Sequence, residues 1–266
     1  MRTHTKNRKP QLAVFRTLTE CPYVPRISLI EDLTRVPIPP GTQLLVEYDA
    51  PSLWYNASIT ISAVWLKTGG KVSYSVLGRS PNELRSLLKR NGLDPKNLEG
   101  EQTLTDKLQI WDFYTSTLGR KSKEKWSFES PRIADLSLHF IKHELPTEIR
   151  DSNLPPSARL TLCDNYSTLL RFNDEKSVLE YLLTRDIPAG RMNGSTSMTA
   201  FTTGVHSDWF YKQLEAAFDG IVDLKFDDNS DPPKNLMRIR SMQNVQHDAR
   251  WHELRVGDNF EITLQK

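Results

Sequence analysis

The segment Gln43–Ala57, QLLVEYDAPSLWYNA, constrains the fold of this chain more than any other. Its apolar run, Leu44–Val46, has the composition of a buried strand. After a short loop, the apolar residues over about Ser52–Lys67 recur along one face of a predicted helix. A buried strand that passes through a short loop into a helix indicates an α/β fold.

The loop between this strand and helix has the position of a phosphate-binding loop but not its residues. Such a loop needs glycines, whose backbone N–H groups can curl around phosphates, a lysine for the β- and γ-phosphates, and a Ser or Thr hydroxyl for Mg²⁺. No glycine and no lysine lies between Glu47 and Tyr55. The loop is therefore predicted not to cradle a triphosphate.

The rest of the chain alternates strands and helices. We expect core strands over Lys71–Leu77, Leu108–Phe113, Arg159–Cys163 and Thr199–Thr203. We expect helices over Pro81–Asn91, Pro131–Leu145, Asp174–Thr184 and Ser207–Phe218, and an exposed loop over Tyr114–Ser130. The tail has strands over Ile221–Phe226, Leu236–Met242 and Asn259–Leu264. This order predicts a three-layer α/β/α fold, in which a mostly parallel sheet is covered on both faces and a β-hairpin follows.

Five segments in order resemble motifs of the KaiC-like ATPases of the RecA superfamily, a group that includes archaeal RadA paralogues. The first is the segment described above, and the others are KVSYSVLGRSPNEL, RLTLCDNYSTLL, GVHSDWFYKQLEAAFDG and RIRSMQNVQHDARWHEL. The resemblance covers residues 27–266 and implies one RecA-like domain, preceded by a basic N-terminal extension over residues 1–26.

The family's phosphate loop, E-G-D-P-G-S-G-K-T, shows where this chain departs from the pattern. Three positions match it: Glu47, Asp49 and Ser52. The departures replace three glycines, the lysine and the threonine; in that order they are Tyr48, Pro51, Leu53, Trp54 and Tyr55. The resemblance therefore implies a degenerate nucleotide site.

Two further positions of catalytic importance in the family also differ. Gly78 and Arg79 stand where active members carry a Glu pair that orients the attacking water. Ser241 and Gln243 stand where two basic side chains reach the γ-phosphate held by the neighbouring subunit. Asp164 keeps the acid that ends the Walker-B-like strand, where we expect it to bond a loop or cap a turn.

Together these departures predict a catalytically inactive pseudo-ATPase, with no cofactor and no metal. We expect it to act as a regulatory or scaffolding subunit through a protein partner, such as an active RecA-like ATPase homologue. One alternative is a nucleic-acid-binding accessory protein, which would use two basic clusters: Arg2, Lys6, Arg8 and Lys9, and Arg120, Lys121, Lys123 and Lys125. Another alternative is a nucleotide sensor that binds without hydrolysis.

The aromatic residues near the altered loop allow more than one interpretation. Trp54 and Tyr55 either fold inward and fill the space of a nucleotide, or stand exposed as anchors for a protein or for single-stranded bases. Asp248 and Arg250 are expected to pair in a hairpin, and His206 to lie at a helix start with no nearby Ser or Cys to make it a catalytic base.

Composition excludes several other classes of protein. The net charge of +2 gives no global basic field. No apolar run approaches the ~20 residues of a membrane helix, and the basic N-terminus lacks the apolar core of a secretory signal. Cys163 lies inside an apolar strand and is expected to be a small buried residue. A cytoplasmic protein without a membrane partner is expected.

Overall fold

The computed structural model describes residues 25–99, 107–135 and 158–265, which form one ten-stranded sheet with helices on both faces. The strands are β1 Gln43–Tyr48, β2 Lys71–Val76, β3 Leu108–Asp112, β4 Trp126–Ser127, β5 Arg159–Cys163, β6 Thr196–Thr202, β7 Gly220–Asp227, β8 Lys234–Met242, β9 His252–Val256 and β10 Ile262–Leu264. Their order across the sheet is β10-β9-β8-β7-β1-β6-β5-β2-β3-β4.

The helices connect these strands. They are α1 Trp54–Lys67, α2 Pro81–Arg90, α3 Lys96–Glu99, α4 Tyr114–Thr117, α5 Glu175–Tyr181, α6 Ile187–Met192 and α7 Asp208–Ala217. A 3₁₀ segment, Tyr166–Arg171, follows β5, and a π-helical turn, Leu182–Asp186, joins α5 to α6. Ser80 caps α2 by accepting a hydrogen bond from the backbone N–H of Glu83, as the sequence predicts.

Strand β1 occupies the middle of the sheet and positions the site. It pairs in parallel with β6 on one side and β7 on the other, and all six of its residues are buried. Successive side chains point to opposite faces, so Leu44 and Val46 join the core under α1, whereas Leu45 joins the core under α5 and α7. Two hydrophobic cores on the two faces of one sheet confirm the predicted three-layer α/β/α architecture.

The C-terminal part is larger than the predicted hairpin. β7, β8, β9 and β10 pair antiparallel in succession, while the pairs from β7 through β1 to β4 are all parallel. β9 is missing from the sequence-based prediction because HELRV has only two apolar residues and a half-exposed surface. The mostly parallel sheet with antiparallel C-terminal strands is nevertheless confirmed.

One other expectation was wrong, and another concerns residues that lie largely outside the described ranges. The segment Tyr114–Ser130 is not one loop, because it contains α4 and the edge strand β4. The helix predicted over Pro131–Leu145 lies largely outside the described residues, which end at Asp135 on this side. No helix in the described ranges is long and apolar enough to cross a membrane.

Candidate functional site

The altered loop lies at the carboxyl end of β1 and leads directly into α1. In open α/β sheets, ligands bind in the crevice outside the carboxyl ends of the strands. The loop therefore has the place of a binding site, and the ends of β2 and β5 contribute residues from the other side of β6.

Asp49 fixes the start of this loop to two neighbouring strands. Its carboxylate accepts hydrogen bonds from the hydroxyl of Thr203 at 2.6 Å and from the backbone N–H of Phe226 at 3.2 Å. Its own N–H donates to the carbonyl of Leu224 at 3.0 Å, and its carbonyl accepts from the N–H of Ser52 at 2.9 Å. Asp49 thus ties the loop to the ends of β6 and β7.

Trp54, the first residue of α1, points into the protein. Its side chain is 2% exposed, and its indole Nε1–H donates to the backbone carbonyl of Asp164 at 2.9 Å. Its ring centre lies 6.3 Å from that of Tyr48. The interpretation of Trp54 as an inward-folding residue is confirmed. At the position where the resemblance places the phosphate-binding lysine, this chain carries a core residue.

Asp164 connects the end of β5 to the end of β2. Its Oδ1 accepts hydrogen bonds from the N–H groups of Leu77 at 2.8 Å and Gly78 at 3.2 Å. Burial raises the pKa of Asp164 to about 7, although these hydrogen bonds act in the opposite direction. The prediction that Asp164 bonds a loop is confirmed, and the carboxyl group is engaged within the protein.

Tyr55 and Arg79 form the outer wall of the site. The Arg79 guanidinium lies 4.4 Å from the centre of the Tyr55 ring and pairs with Glu83 at 2.5 Å. Burial raises the pKa of the Tyr55 phenol, so this group stays protonated at neutral pH. Within the described residues, the Tyr55 hydroxyl and the Ser52 hydroxyl are buried and have no hydrogen-bond partner.

The N-terminus of α1 has no side-chain cap. Its cap residue is Leu53, and its first turn contains no acidic residue. The partial positive charge of the helix end is therefore not compensated locally. This is the feature of the site that most favours an anion, and it is weaker than a complete phosphate loop because Pro51 supplies no N–H.

The structure does not bring Ser241 and Gln243 to this site. β8 runs antiparallel to β7, so Ser241 lies opposite Ile221, near the amino end of the parallel strands. Both side chains are exposed. They therefore lie at the opposite end of the parallel strands from Trp54.

A pair of residues that the sequence analysis missed lies near the loop. His206 Nε2 is 2.8 Å from the hydroxyl of Ser167, which also accepts the backbone N–H of Thr202 at 2.9 Å. The expectation of no serine near His206 was therefore wrong. Sequence analysis missed this contact because Ser167 and His206 are 39 positions apart and come together only through the pairing of β5 with β6. Burial lowers the pKa of His206, which favours the neutral ring.

The remaining predicted residues lie apart from the loop. Arg120, Lys121, Lys123 and Lys125 are exposed near the edge strand β4, whereas Arg2, Lys6, Arg8 and Lys9 lie outside the described residues. The predicted pair of Asp248 and Arg250 forms at 2.6 Å, and Cys163 is buried. In the part of the chain that the structure describes, no group of three or more His, Cys, Asp or Glu side chains could hold a metal ion.

Replacing Trp54 by Phe tests the inward role of the indole. We expect Trp54→Phe to lower the free energy of unfolding by about 1–3 kcal/mol, because the Asp164 carbonyl loses its buried donor. Urea denaturation measures this change. The control is Trp209→Phe, at a residue 50% exposed, which should change stability by at most about 0.5 kcal/mol. Equal effects of the two substitutions would contradict the account.

The raised pKa of Asp164 predicts a pH dependence. Between the usual value of 3.8 and about 7, the folded protein keeps the Asp164 proton that the unfolded chain has released. This contribution to stability is complete below the unfolded pKa and is lost as the pH rises through 7. The free energy of unfolding, measured by urea denaturation, should therefore fall less steeply between pH 5 and pH 8 in Asp164→Asn than in the wild type. The slopes should differ by up to about 1.4 kcal/mol per pH unit.

The exposed Asp228 provides the control for this experiment, since Asp228→Asn should leave the slope unchanged. Glu47, whose pKa burial also raises to about 7, remains in every variant, so the comparison uses differences in slope. A wild-type slope retained in Asp164→Asn would show that this carboxyl group does not titrate as described.

Comparisons with known proteins agree with this architecture. No protein-family model matches the chain, and no curated protein matches it. Among solved structures, it is similar to a KaiC-like protein from the hyperthermophilic archaeon Pyrococcus horikoshii, with a TM-score of 0.63 and 18% sequence identity. The match covers 91% of this chain and 97% of that chain. The chain therefore shares the fold of that KaiC-like protein, and the RecA-like fold that its five sequence motifs predict is confirmed.

Proposed function

We propose that this chain is a RecA-like pseudo-ATPase that acts as a regulatory or scaffolding subunit by binding a protein partner. The observation that carries the proposal is the position of Trp54. Its indole occupies the start of α1, where the fold's phosphate-binding lysine is expected, and bonds the Asp164 carbonyl at 2.9 Å. The domain thus completes this part of its core without a nucleotide.

The residues present do not fit Mg²⁺ and a nucleoside triphosphate. Pro51 has no N–H to donate, and Leu53 and Trp54 resist the close backbone approach that glycine permits. Tyr55 offers a phenol in place of the small hydroxyl that binds Mg²⁺. The Asp164 carboxyl group accepts two backbone N–H groups instead of standing open to a metal-bound water.

The groups that would act on a bound nucleotide are also absent from their expected positions. Arg79 follows β2 in place of a hydrolytic acid, and it pairs with Glu83. Ser241 and Gln243 are uncharged and cannot stabilise a phosphate on a neighbouring subunit. A chain that binds no γ-phosphate needs no basic side chains to contact one. The departures at the phosphate loop, after β2 and at the end of β8 are therefore consistent with one another.

An exposed apolar pair next to the loop supports protein binding. Val205 and Trp209 follow the carboxyl end of β6 and are 58% and 50% exposed. Trp is favoured as an anchor at protein interfaces because a large rigid ring is buried at low entropic cost. The partner we propose is an active RecA-like ATPase, since a shared fold offers matching surfaces.

Nucleotide binding can be tested by thermal unfolding. We expect 1 mM Mg·ATP to leave the Tm of the purified protein unchanged. Binding with a Kd of about 10 μM would add about 2.7 kcal/mol of stability at that concentration, and this would raise the Tm by roughly 5–10 °C in a domain of this size. Such a shift without turnover would favour the nucleotide-sensor alternative, and ATP turnover abolished by Asp164→Ala would refute the proposal.

Partner binding needs a separate experiment. We expect the purified chain to co-elute with a RecA-like ATPase from the same organism whether or not ATP is present. Trp209→Ala should weaken the complex by at least about tenfold, as expected for an interface anchor. The control is Met192→Ala, at a residue 84% exposed before the amino end of β6. Absence of a complex at about 10 μM, or equal loss in both variants, would argue against this surface.

A further inference from the structure

A groove runs along β10, at the edge of the sheet opposite β4. Its volume is about 790 Å³, which is within the range of ligand sites. Residues 261–265 form one wall. The other lining residues come from the turn at 28–32, from α1, from the end of α2 and from the turn between β9 and β10: Ser28, Leu29, Asp32, Thr60, Ala63, Val64, Lys67, Arg90, Asn91, Gly92 and Asn259.

The strand edge in this groove carries a backbone N–H without a partner. Gln265 donates its N–H to the carbonyl of Glu253 on β9 at 2.8 Å. Because successive residues of an antiparallel strand direct these groups to opposite sides, the N–H groups of Ile262 and Leu264 point away from β9. Thr60 of α1 accepts the N–H of Ile262 at 2.9 Å. Within the described residues, the N–H of Leu264 has no such acceptor.

The floor of the groove is apolar. Ala63 of α1 and Ile262 of β10 belong to the hydrophobic core under α1, and their neighbours Val64 and Leu264 are half-buried beside them. An apolar floor next to an open strand edge suits an extended peptide. The backbone of such a peptide pairs with the edge strand, and its alternate side chains enter the groove.

Two exposed cations make one end of the groove positive. The Arg90 guanidinium lies 4.8 Å from the centre of the Phe260 ring, and the Lys67 ammonium donates to the backbone carbonyl of Asn91 at 2.6 Å. Neither cation forms an ion pair with an acid in the described part of the chain. Both charges are therefore available to an acidic group of a ligand.

The wall opposite β10 is fixed by contacts of its own. Asp32 accepts the backbone N–H of Leu29 at 3.1 Å and pairs with Arg26 at 2.5 Å, which also balances its charge. Leu29 has a φ of 66°, a conformation that a bulky residue adopts only when its surroundings hold it there. A wall that is fixed before binding reduces the entropy lost when a ligand is bound.

We propose that this groove binds an extended peptide of a protein partner, which pairs with β10 at Leu264. The unpaired N–H and the apolar floor indicate strand addition, in which backbone hydrogen bonds give affinity and side-chain pockets give specificity. Charge complementarity with Arg90 and Lys67 indicates an acidic residue in the peptide. The groove lies at the opposite end of the parallel strands from Val205 and Trp209, so the proposal does not depend on that surface.

The test begins with a phage-displayed library of random 12-residue peptides, selected on the immobilised full-length protein. We expect the enriched peptides to alternate apolar and polar residues and to contain Asp or Glu. Fluorescence anisotropy of the labelled synthetic peptides then gives their Kd for each variant. Leu264→Pro removes the outward N–H, whereas Leu264→Ala keeps it and loses the same side chain. The Pro variant should bind about fivefold to tenfold more weakly than the Ala variant.

The charge contribution has its own pair of variants, and the Tm of every variant confirms that it is folded. Arg90→Gln should weaken binding about tenfold or more, because a charge-assisted hydrogen bond is lost. The control Lys89→Gln changes an exposed neighbour outside the groove and should leave the Kd within about twofold. Trp209→Ala should have no effect, which separates this groove from the surface proposed above.

Three results would overturn the proposal. The first is that no peptide is enriched, as expected if residues 1–24 or a second copy of the chain fill the groove. The second is equal affinity of Leu264→Pro and Leu264→Ala for the enriched peptides. The third is an equal effect of Arg90→Gln and Lys89→Gln, which would place the peptides elsewhere on the protein.

Discussion

The hydrogen bonds of Asp164 hold together the elements at the carboxyl end of the sheet, around the loop that follows β1. The backbone carbonyl of Asp164 accepts the indole N–H of Trp54, and its carboxyl group accepts the N–H groups of Leu77 and Gly78. One residue at the end of β5 thereby joins the start of α1 to the end of β2. These elements surround the crevice in which a sheet of this kind binds its ligand. Here the polar groups of Asp164 that border the crevice are hydrogen-bonded within the protein.

This arrangement supports the proposed role of the domain as a subunit that needs no nucleotide. Asp49 fixes the loop to β6 and β7, and Trp54 completes the core, so the domain reaches its final shape with contacts of its own chain. Val205 and Trp209, which are exposed after β6, form the surface that we propose for a protein partner.

The sequence alone predicted the central strands and helices but not the contacts between them. β1 is a run of buried residues, and α2 begins at a Ser-Pro cap, so local patterns predicted both. β4 has two residues and β9 is largely polar, so neither has a detectable period. The inward position of Trp54 was one of two interpretations, because a tryptophan at a helix start suits a core or an interface equally. The contacts of Ser167 with His206, and of Arg85 with Glu124, join residues 39 positions apart, and no local pattern reports such pairs.

Hydrogen–deuterium exchange over peptides that cover Asp49–Ile61 tests the central claim most directly. If Trp54 and Asp164 close the loop and the start of α1 internally, these peptides should exchange slowly in the nucleotide-free protein, and 1 mM Mg·ATP should not change the rate. In Trp54→Phe, the same peptides should exchange faster. Rapid exchange in the nucleotide-free protein that becomes slow with Mg·ATP would show that this loop is completed by a nucleotide, and it would contradict the account.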